Sequence, residues 1–484
     1  MTDISSQALD ALKAAVGPQG WLDDPDALAP YLTEWRGIYS GCTPLLVAPA
    51  STAEASAVLR VCAEHDIAVV PQGGNTGLAG GAIPGLQSRP EILLSSRRLN
   101  RVRNIDPANF TVTVEAGVVL AELQQRVAAQ ELYFPLSLAA EGSCQIGGNL
   151  STNAGGTNVL RYGNSRDLVL GLEVVLPSGE VWDGLSGLRK DNTGYDLRHL
   201  FVGAEGTLGF ITAATLKLFP APRSRATAWL AVADPDAAVA LYSAARRHLG
   251  EEMVAFELMA GNAVDMVLAH IPGTRAPLDA EAGGGQPPWC VLIEFTSAGE
   301  QAVLDAQLLS FLEQCMSDGL VADGAVAASD AQREDFWRVR HGISEAQKHA
   351  GGSIKHDVSV PVSRMAEFLA TANSVVAEQV PGIRPVPFGH LGDGNVHYNL
   401  SQPPDMDTDT FLARRAEVNR VVHELVTGMG GSFSAEHGIG YLKAAELARL
   451  KDPVALAAMR AIKQALDPQG IMNPGKVLPL PDAD

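Results

Sequence analysis

Apolar positions recur at helical spacing through residues 6–35 and 51–65. They form short runs through 44–48, 67–70, 91–94, 111–115, 168–176 and 209–217, which read as strands. The second helical stretch opens on Ser51-Thr52 with Glu54 close behind, a capping-box pattern. A further helix is predicted over 120–130. At Pro220-Ala-Pro222 the pattern changes. From there to about residue 380, helices rich in alanine and leucine alternate with strands such as 289–295, and GGGQPP at 283–288 reads as a surface loop. After residue 410 the pattern is helical again, interrupted near 434–440. The fold class is therefore α+β, in three regions: 1–222, 223–410 and 411–484.

Length and charge narrow the function classes. A chain of 484 residues exceeds one ordinary core, and roughly two or three domains are expected. The hydrophobic content of 46% and charged content of 19% are those of a globular, enzyme-like chain. A net charge of −19 argues against nonspecific nucleic-acid binding. The cysteines at 42, 62, 144, 290 and 315 contain no CxxC pair, which points to a reducing compartment. Residues 1–19 carry acidic groups and no sustained apolar core, so neither a signal peptide nor an anchor is expected. No run is long enough for a membrane span, and a cytoplasmic location is the expectation.

Glycine clusters carry the first chemical signal. PQGGNTGLAGG at 71–81 follows a predicted strand, but its spacing suits neither a Rossmann fingerprint nor a P-loop. Such a loop can still turn successive backbone N–H groups toward a pyrophosphate. EGSCQIGGNLSTNAGG at 141–156, RYGNSRD at 161–167 and GAEGTLGF at 203–210 repeat the theme. A long phosphate-bearing cofactor threaded between backbones explains four such segments better than four turns do.

The second signal lies in HLGDGNVH at 390–397 and SAEHGIG at 434–440. If Asp393-Gly394 forms a type I′ turn, His390 faces His397 across a hairpin. Cross-strand partners have Cβ atoms about 4.5–5.5 Å apart, close enough to share a metal ion. Glu436 and His437 add a carboxylate and a third imidazole beside glycine. His65, His199, His248, His270, His341, His349, His356 and His423 read as ordinary core or surface residues.

Together these runs and DPQGIMNPGK at 467–476 resemble the flavoprotein superfamily of vanillyl-alcohol oxidase and p-cresol methylhydroxylase, in its FAD-linked oxidase C-terminal branch. The resemblance covers about residues 35–480. It implies a two-subdomain FAD-binding domain with its core at about 38–218, an α+β substrate (cap) domain, and a helical C-terminal segment returning to the flavin. By this resemblance Pro71, Gly73, Gly74, Asn75, Thr76, Gly77 and Leu78 hold the FAD pyrophosphate. Ser137, Gly142, Ser143, Gly147, Gly148, Asn149, Asn153, Gly155, Gly156 and Gly163 line the cofactor. Glu205, Gly206 and Ile211 sit by the nucleotide, and Asn473 closes in from the C-terminus. The first loop offers no histidine or cysteine for attachment, and Cys144 reads as a packing residue, so noncovalent FAD is expected.

The resemblance further implies that His390, His397 and Glu436 hold a divalent metal, zinc first and manganese or cobalt as alternatives, with His437 as general base. Such an ion, bound to the hydroxyl and carboxylate of a 2-hydroxy acid, would make the hydroxyl easier to ionise. Likeness to the branch's D-2-hydroxyglutarate dehydrogenases assigns Arg340, Ser344 and Lys355 to a distal carboxylate. Asn399, on the same strand face as His397, is assigned to the substrate carboxylate. Ser344 and His356 depart from the threonine and tyrosine of that pattern. D-lactate or another small D-2-hydroxy acid is the alternative substrate. A noncatalytic flavoprotein subunit and a nicotinamide enzyme are the readings from other classes. An electron-transfer flavoprotein or a quinone is the implied electron acceptor, and a homodimer the expected assembly.

Overall fold

The protein is described by a computed structural model, over residues 4–86, 89–278 and 286–480. Gly283, Gly284 and Gly285 of the expected surface loop lie outside the described residues, as do the first three residues of the chain. The chain forms two compact units: Met1–Gly156, Gly163–Ala221 and Glu436–Asp484 make the first, and Thr157–Tyr162 with Pro222–Ala435 the second.

The first unit holds two main sheets. In one, strands Leu46–Val47, Glu91–Ser95 and Ala68–Gln72 run parallel, with Trp21–Leu22 added antiparallel at the edge. On one face Val47, Val69, Ile92 and Leu94 are fully buried against helices Ser6–Val16 and Thr52–Glu64, and on the other Leu46, Val70 and Leu93 pack with Leu28. The helix expected over 6–35 is interrupted. Gly17 takes a positive φ of 68°, and a new helix, Pro25–Leu32, begins at the Asp24 cap. The Ser51 cap is present, for its hydroxyl accepts from Glu54 N; Glu54 reaches back to Ala50 N instead of Ser51 N. The other sheet is antiparallel, in the order Val102–Asp106, Thr111–Glu115, Phe210–Lys217, Val169–Val175, Val181–Gly184.

The C-terminal segment completes this first unit. Val69 N donates to Ile471 O and Asn473 N to Val69 O, both at 2.8 Å, extending the parallel sheet by a bridge at Met472. Ile471 and Met472 are fully buried there.

The second unit is an eight-stranded antiparallel sheet with helices on both faces. Helices Pro235–His248, Gln301–Ser317, Met365–Gln379 and Arg415–Gly428 cover one face, where Phe256, Leu258, Val396 and Tyr398 are buried. Helices Gly261–His270 and Asp330–Ala346 cover part of the other, over Met259, Leu292, Val386 and Phe388. Residues 411–435 belong to this unit and not to the C-terminal segment: Val418, Val422 and Val426 are buried in its core.

Candidate cofactor cradle and acid–base site

The first glycine loop leaves strand Ala68–Gln72 and takes no regular structure. Among the described residues, none of the backbone N–H groups from Gly73 to Leu78 has an acceptor within the protein. Such a run of unpaired donors fits an anionic, phosphate-bearing ligand. The close approaches need glycine. A Cβ on Gly74 would lie 2.1 Å from Ser143 O, whereas one on Gly73 would make only ordinary contact, 3.4 Å from the Gly148 backbone. A Cβ on Gly206 would press on the Pro71 ring at 2.8 Å. The first unit thus brings together segments near 71–78, 143–148 and 206. Ser137 bridges Gly156, and Asn149 is buried beside Cys144, its Nδ2 3.5 Å from Sγ. Ile211 is buried within strand Phe210–Lys217. Asn153, at a positive φ of 51°, accepts from Arg166 N through its side chain, and a Cβ on Gly163 would meet Asp167.

Two of the expected nucleotide neighbours also act as braces. Glu205 accepts Ile439 N and Gly440 N, each at 2.7 Å, and so anchors the turn that follows His437. Burial pushes its carboxyl up, while those two N–H groups pull the other way. Asn473 donates to Gly81 O and Glu205 O, and its Oδ1 is buried without a hydrogen bond among the described residues. Glu436 accepts Gly156 N at 3.0 Å, a contact to the glycine segment itself.

In the second unit one sheet face carries the polar residues. Strand Arg384–His390 pairs with Asn395–Ser401 so that Phe388 faces His397. His390 does not face His397, as a two-residue turn required; it pairs with Glu257 on the other side. The connection is a 3₁₀ turn over Leu391–Asp393, capped by Gly394 at φ 81°. Asp393 accepts Asn395 N and does not adopt the positive φ that a type I′ turn demands. Even so, the His390 and His397 ring centroids are 5.6 Å apart. Alternation along the strands puts Glu257, His390, His397, Asn399 and Asp357 on one face.

Glu257 is 1% exposed and uses both oxygens. Its Oε1 accepts from His390 Nδ1 at 2.6 Å, and its Oε2 from Arg340 Nε at 2.7 Å. Burial alone would raise this carboxyl, but the adjacent guanidinium and imidazole hold it well below the usual carboxylate range. Arg340 is buried on helix Asp330–Ala346, over the Phe388 ring at 4.9 Å. Among the described residues its terminal nitrogens make no hydrogen bond. Ser344 stands one helical turn along and is exposed; Lys355 is exposed between two short strands. Asn399 is buried and donates to Gln347 Oε1 at 3.0 Å, so part of its amide is committed within the protein. His397 Nδ1 lies 3.9 Å from Asp357 Oδ1. Ala435, the last residue of this unit, donates to Asp357 O, and the chain runs on directly into Glu436.

Sequence reasoning missed Glu257 and Asp357 as site residues. Glu257 left one faint trace, a lone carboxylate in the otherwise apolar strand MVAFELMA. Among the described residues no helix is long and apolar enough to cross a membrane.

The FAD-linked oxidase C-terminal domain pattern matches residues 221–477, and the FAD-binding domain pattern residues 43–184. The chain belongs to the FAD-linked oxidase family. It is an FAD-linked oxidoreductase. A "Probable D-2-hydroxyglutarate dehydrogenase, mitochondrial" of Oryza sativa subsp. japonica is 41% identical, over 98% of this chain and 82% of its own. A D-2-hydroxyglutarate dehydrogenase of Stutzerimonas stutzeri is 37% identical over 97% and 98%. Among solved structures, p-cresol methylhydroxylase with substrate bound aligns at a TM-score of 0.76 and 18% identity, over 99% of this chain and 97% of its own. Alkyldihydroxyacetonephosphate synthase aligns at 0.72 and 18%, over 98% and 85%. That α+β fold therefore serves more than one reaction, and the reaction must be argued from the site.

Proposed function

We propose that this FAD-linked oxidoreductase oxidises D-2-hydroxyglutarate to 2-oxoglutarate. One observation carries the choice of a dicarboxylate: Arg340 reaches from helix Asp330–Ala346 to Glu257, the strand partner of His390, while its terminal nitrogens remain unengaged among the described residues. A guanidinium held by Nε alone is set up to take a carboxylate in bidentate fashion. Relatives at 37–41% identity that carry the D-2-hydroxyglutarate dehydrogenase name support the same substrate.

FAD, when bound, would supply the oxidant for the C2–H bond, and His390, His397 and Glu436 would hold a divalent cation supplying a Lewis acid for the hydroxyl. The donor set suits zinc, with manganese or cobalt as alternatives. The His390 Nδ1 bond to Glu257 would orient the ring toward such a cation, as in carboxylate–histidine–metal arrangements. His437 would take the hydroxyl proton as general base. Arg340, with Ser344 and Lys355, neutralises the distal carboxylate, and Asn399 adds a hydrogen bond near C1. FAD would be held noncovalently, with the N–H groups of Gly73 to Leu78, unpaired among the described residues, offered to its pyrophosphate. Reoxidation falls to an electron-transfer flavoprotein or a quinone.

Anaerobic addition of D-2-hydroxyglutarate and of D-lactate, with and without chelator, tests this reading. D-2-hydroxyglutarate is expected to bleach the flavin absorbance, and chelator to abolish bleaching. If D-lactate bleaches the flavin and D-2-hydroxyglutarate does not, a dehydrogenase of smaller hydroxy acids replaces it.

A further inference from the structure

Glu257 lies outside the proposed ligand set and substrate clamp, yet it touches a member of each. Its two oxygens are divided between two partners, His390 Nδ1 at 2.6 Å and Arg340 Nε at 2.7 Å. An arginine–carboxylate pair built for charge alone would favour two parallel bonds to one guanidinium. Here the carboxylate meets Arg340 edge-on, through Nε, and turns its other oxygen to the imidazole. Strand pairing fixes the arrangement, because Glu257 sits directly opposite His390 in the ladder between Met253–Ala260 and Arg384–His390. Phe388, two residues before His390, supports the guanidinium from below. All three polar side chains are less than a tenth exposed, so water does not compete for these bonds.

We propose that Glu257 is a shared positioning residue: one oxygen orients His390 toward the metal, and the other orients Arg340 toward the distal carboxylate of the substrate. The inference rests on the metal and dicarboxylate assignments made above. It adds that metal affinity and dicarboxylate selectivity depend on a single buried carboxylate. The carboxylate neither contacts substrate nor moves a proton. Its first effect is to fix the tautomer and ring angle of His390; partners of this kind change metal affinity by about 10–100-fold. Its second effect is to hold Arg340 by Nε, which fixes the direction in which the planar guanidinium presents its two terminal nitrogens.

The test is Glu257→Gln in the FAD-loaded protein. An amide can accept from only one partner and presents a donor to the other. Zinc affinity, read by chelator competition without substrate, is expected to fall about 10–100-fold. KM for D-2-hydroxyglutarate is expected to rise by more than KM for D-lactate, with FAD content unchanged. Unaltered zinc affinity together with an unaltered KM ratio overturns the proposal. If Glu257→Gln does not fold, Glu257→Asp is measured instead. It keeps the charge but shortens the reach by about 1.5 Å, so it can meet one partner only, and one of the two readouts must move. The underlying assignments fail separately: wild-type protein that binds no zinc, or an Arg340→Ala variant with wild-type KM, overturns those first.

Discussion

At the scale of single residues, the division of labour around the proposed metal makes two variants behave differently. His397→Ala is expected to lose metal and turnover together. His437→Ala is expected to keep its metal and lose turnover by about 10²–10⁴-fold, the usual worth of a general base. Metal analysis and anaerobic flavin bleaching on each variant check this; metal loss in His437→Ala would reassign that imidazole as a ligand. Arg340→Ala is expected to raise KM for D-2-hydroxyglutarate at least tenfold. Part of that rise comes from Glu257, which loses its cationic partner in a buried position. His390, His397, Glu436 and His437 stand out in the sequence as candidates because each lies within a few residues of glycine at short spacing. Glu257 was not, because it lies 133 residues before His390 and only the strand ladder joins them. The pairing of His390 with His397 was expected for the wrong reason. The rings do approach, but through a 3₁₀ turn and a shared sheet face instead of a type I′ register.

At the scale of elements, strand and helix existence followed the hydrophobic period, while interruptions followed local chemistry that the period does not carry. The break at Gly17 and the restart at Asp24-Pro25 are examples. The same holds for the glycine loop, whose function depends on approach distances. Gly74→Ala forces a Cβ to within 2.1 Å of Ser143 O, so the loop must move and its N–H groups must turn away. Gly77→Ala meets nothing within 4 Å in the protein itself. Gly74→Ala is therefore expected to purify largely without FAD and to melt at a lower temperature than Gly77→Ala. Flavin absorbance per protein and a thermal melt decide it. Another element-scale prediction concerns Glu173 on strand Val169–Val175. It accepts from Thr52 at 2.5 Å, Thr212 at 2.7 Å and Arg103 at 2.9 Å, joining the start of helix Thr52–Glu64 to the antiparallel sheet. Burial alone would raise its carboxyl, but these hydrogen bonds hold it below the ordinary value. A lowered native pKa contributes stability above the unfolded pKa, about 4.3. That contribution is lost as pH falls through the native value. Glu173→Gln is expected to cost about 1–3 kcal/mol at pH 7, with the difference from wild type shrinking toward acid. Denaturant melts at pH 7 and below pH 4 check the sign.

At the scale of the whole molecule, the first unit is assembled from three stretches of chain, and the last of them arrives only after the second unit has been made. Periodicity could announce the helix Pro453–Leu466, but not that Ile471 and Met472 would complete a core begun before residue 70. The closure is both apolar and polar. Met472 is fully buried, Asn473 joins Val69, Gly81 and Glu205, and Lys463 donates to Thr207 O and Met472 O at 2.7 Å each. Since Glu205 in turn anchors the turn after His437, loss of the closing segment reaches the cofactor cradle and the proposed base through one side chain. Met472→Ala removes only the apolar part and is expected to cost about 2–5 kcal/mol. Truncation after Leu466 removes both parts. It is expected to release FAD and to lower the melting transition of the first unit beyond the Met472→Ala value. Free-flavin fluorescence follows the cofactor, and hydrogen exchange over strand Ala68–Gln72 follows the sheet it closes. If the truncated protein holds FAD as tightly as the full-length protein, the C-terminal segment is a cover and not a structural member of the cradle. Asn473 Oδ1, which has no hydrogen bond among the described residues, argues against that outcome, because it is an acceptor already buried where the segment meets the glycine loop.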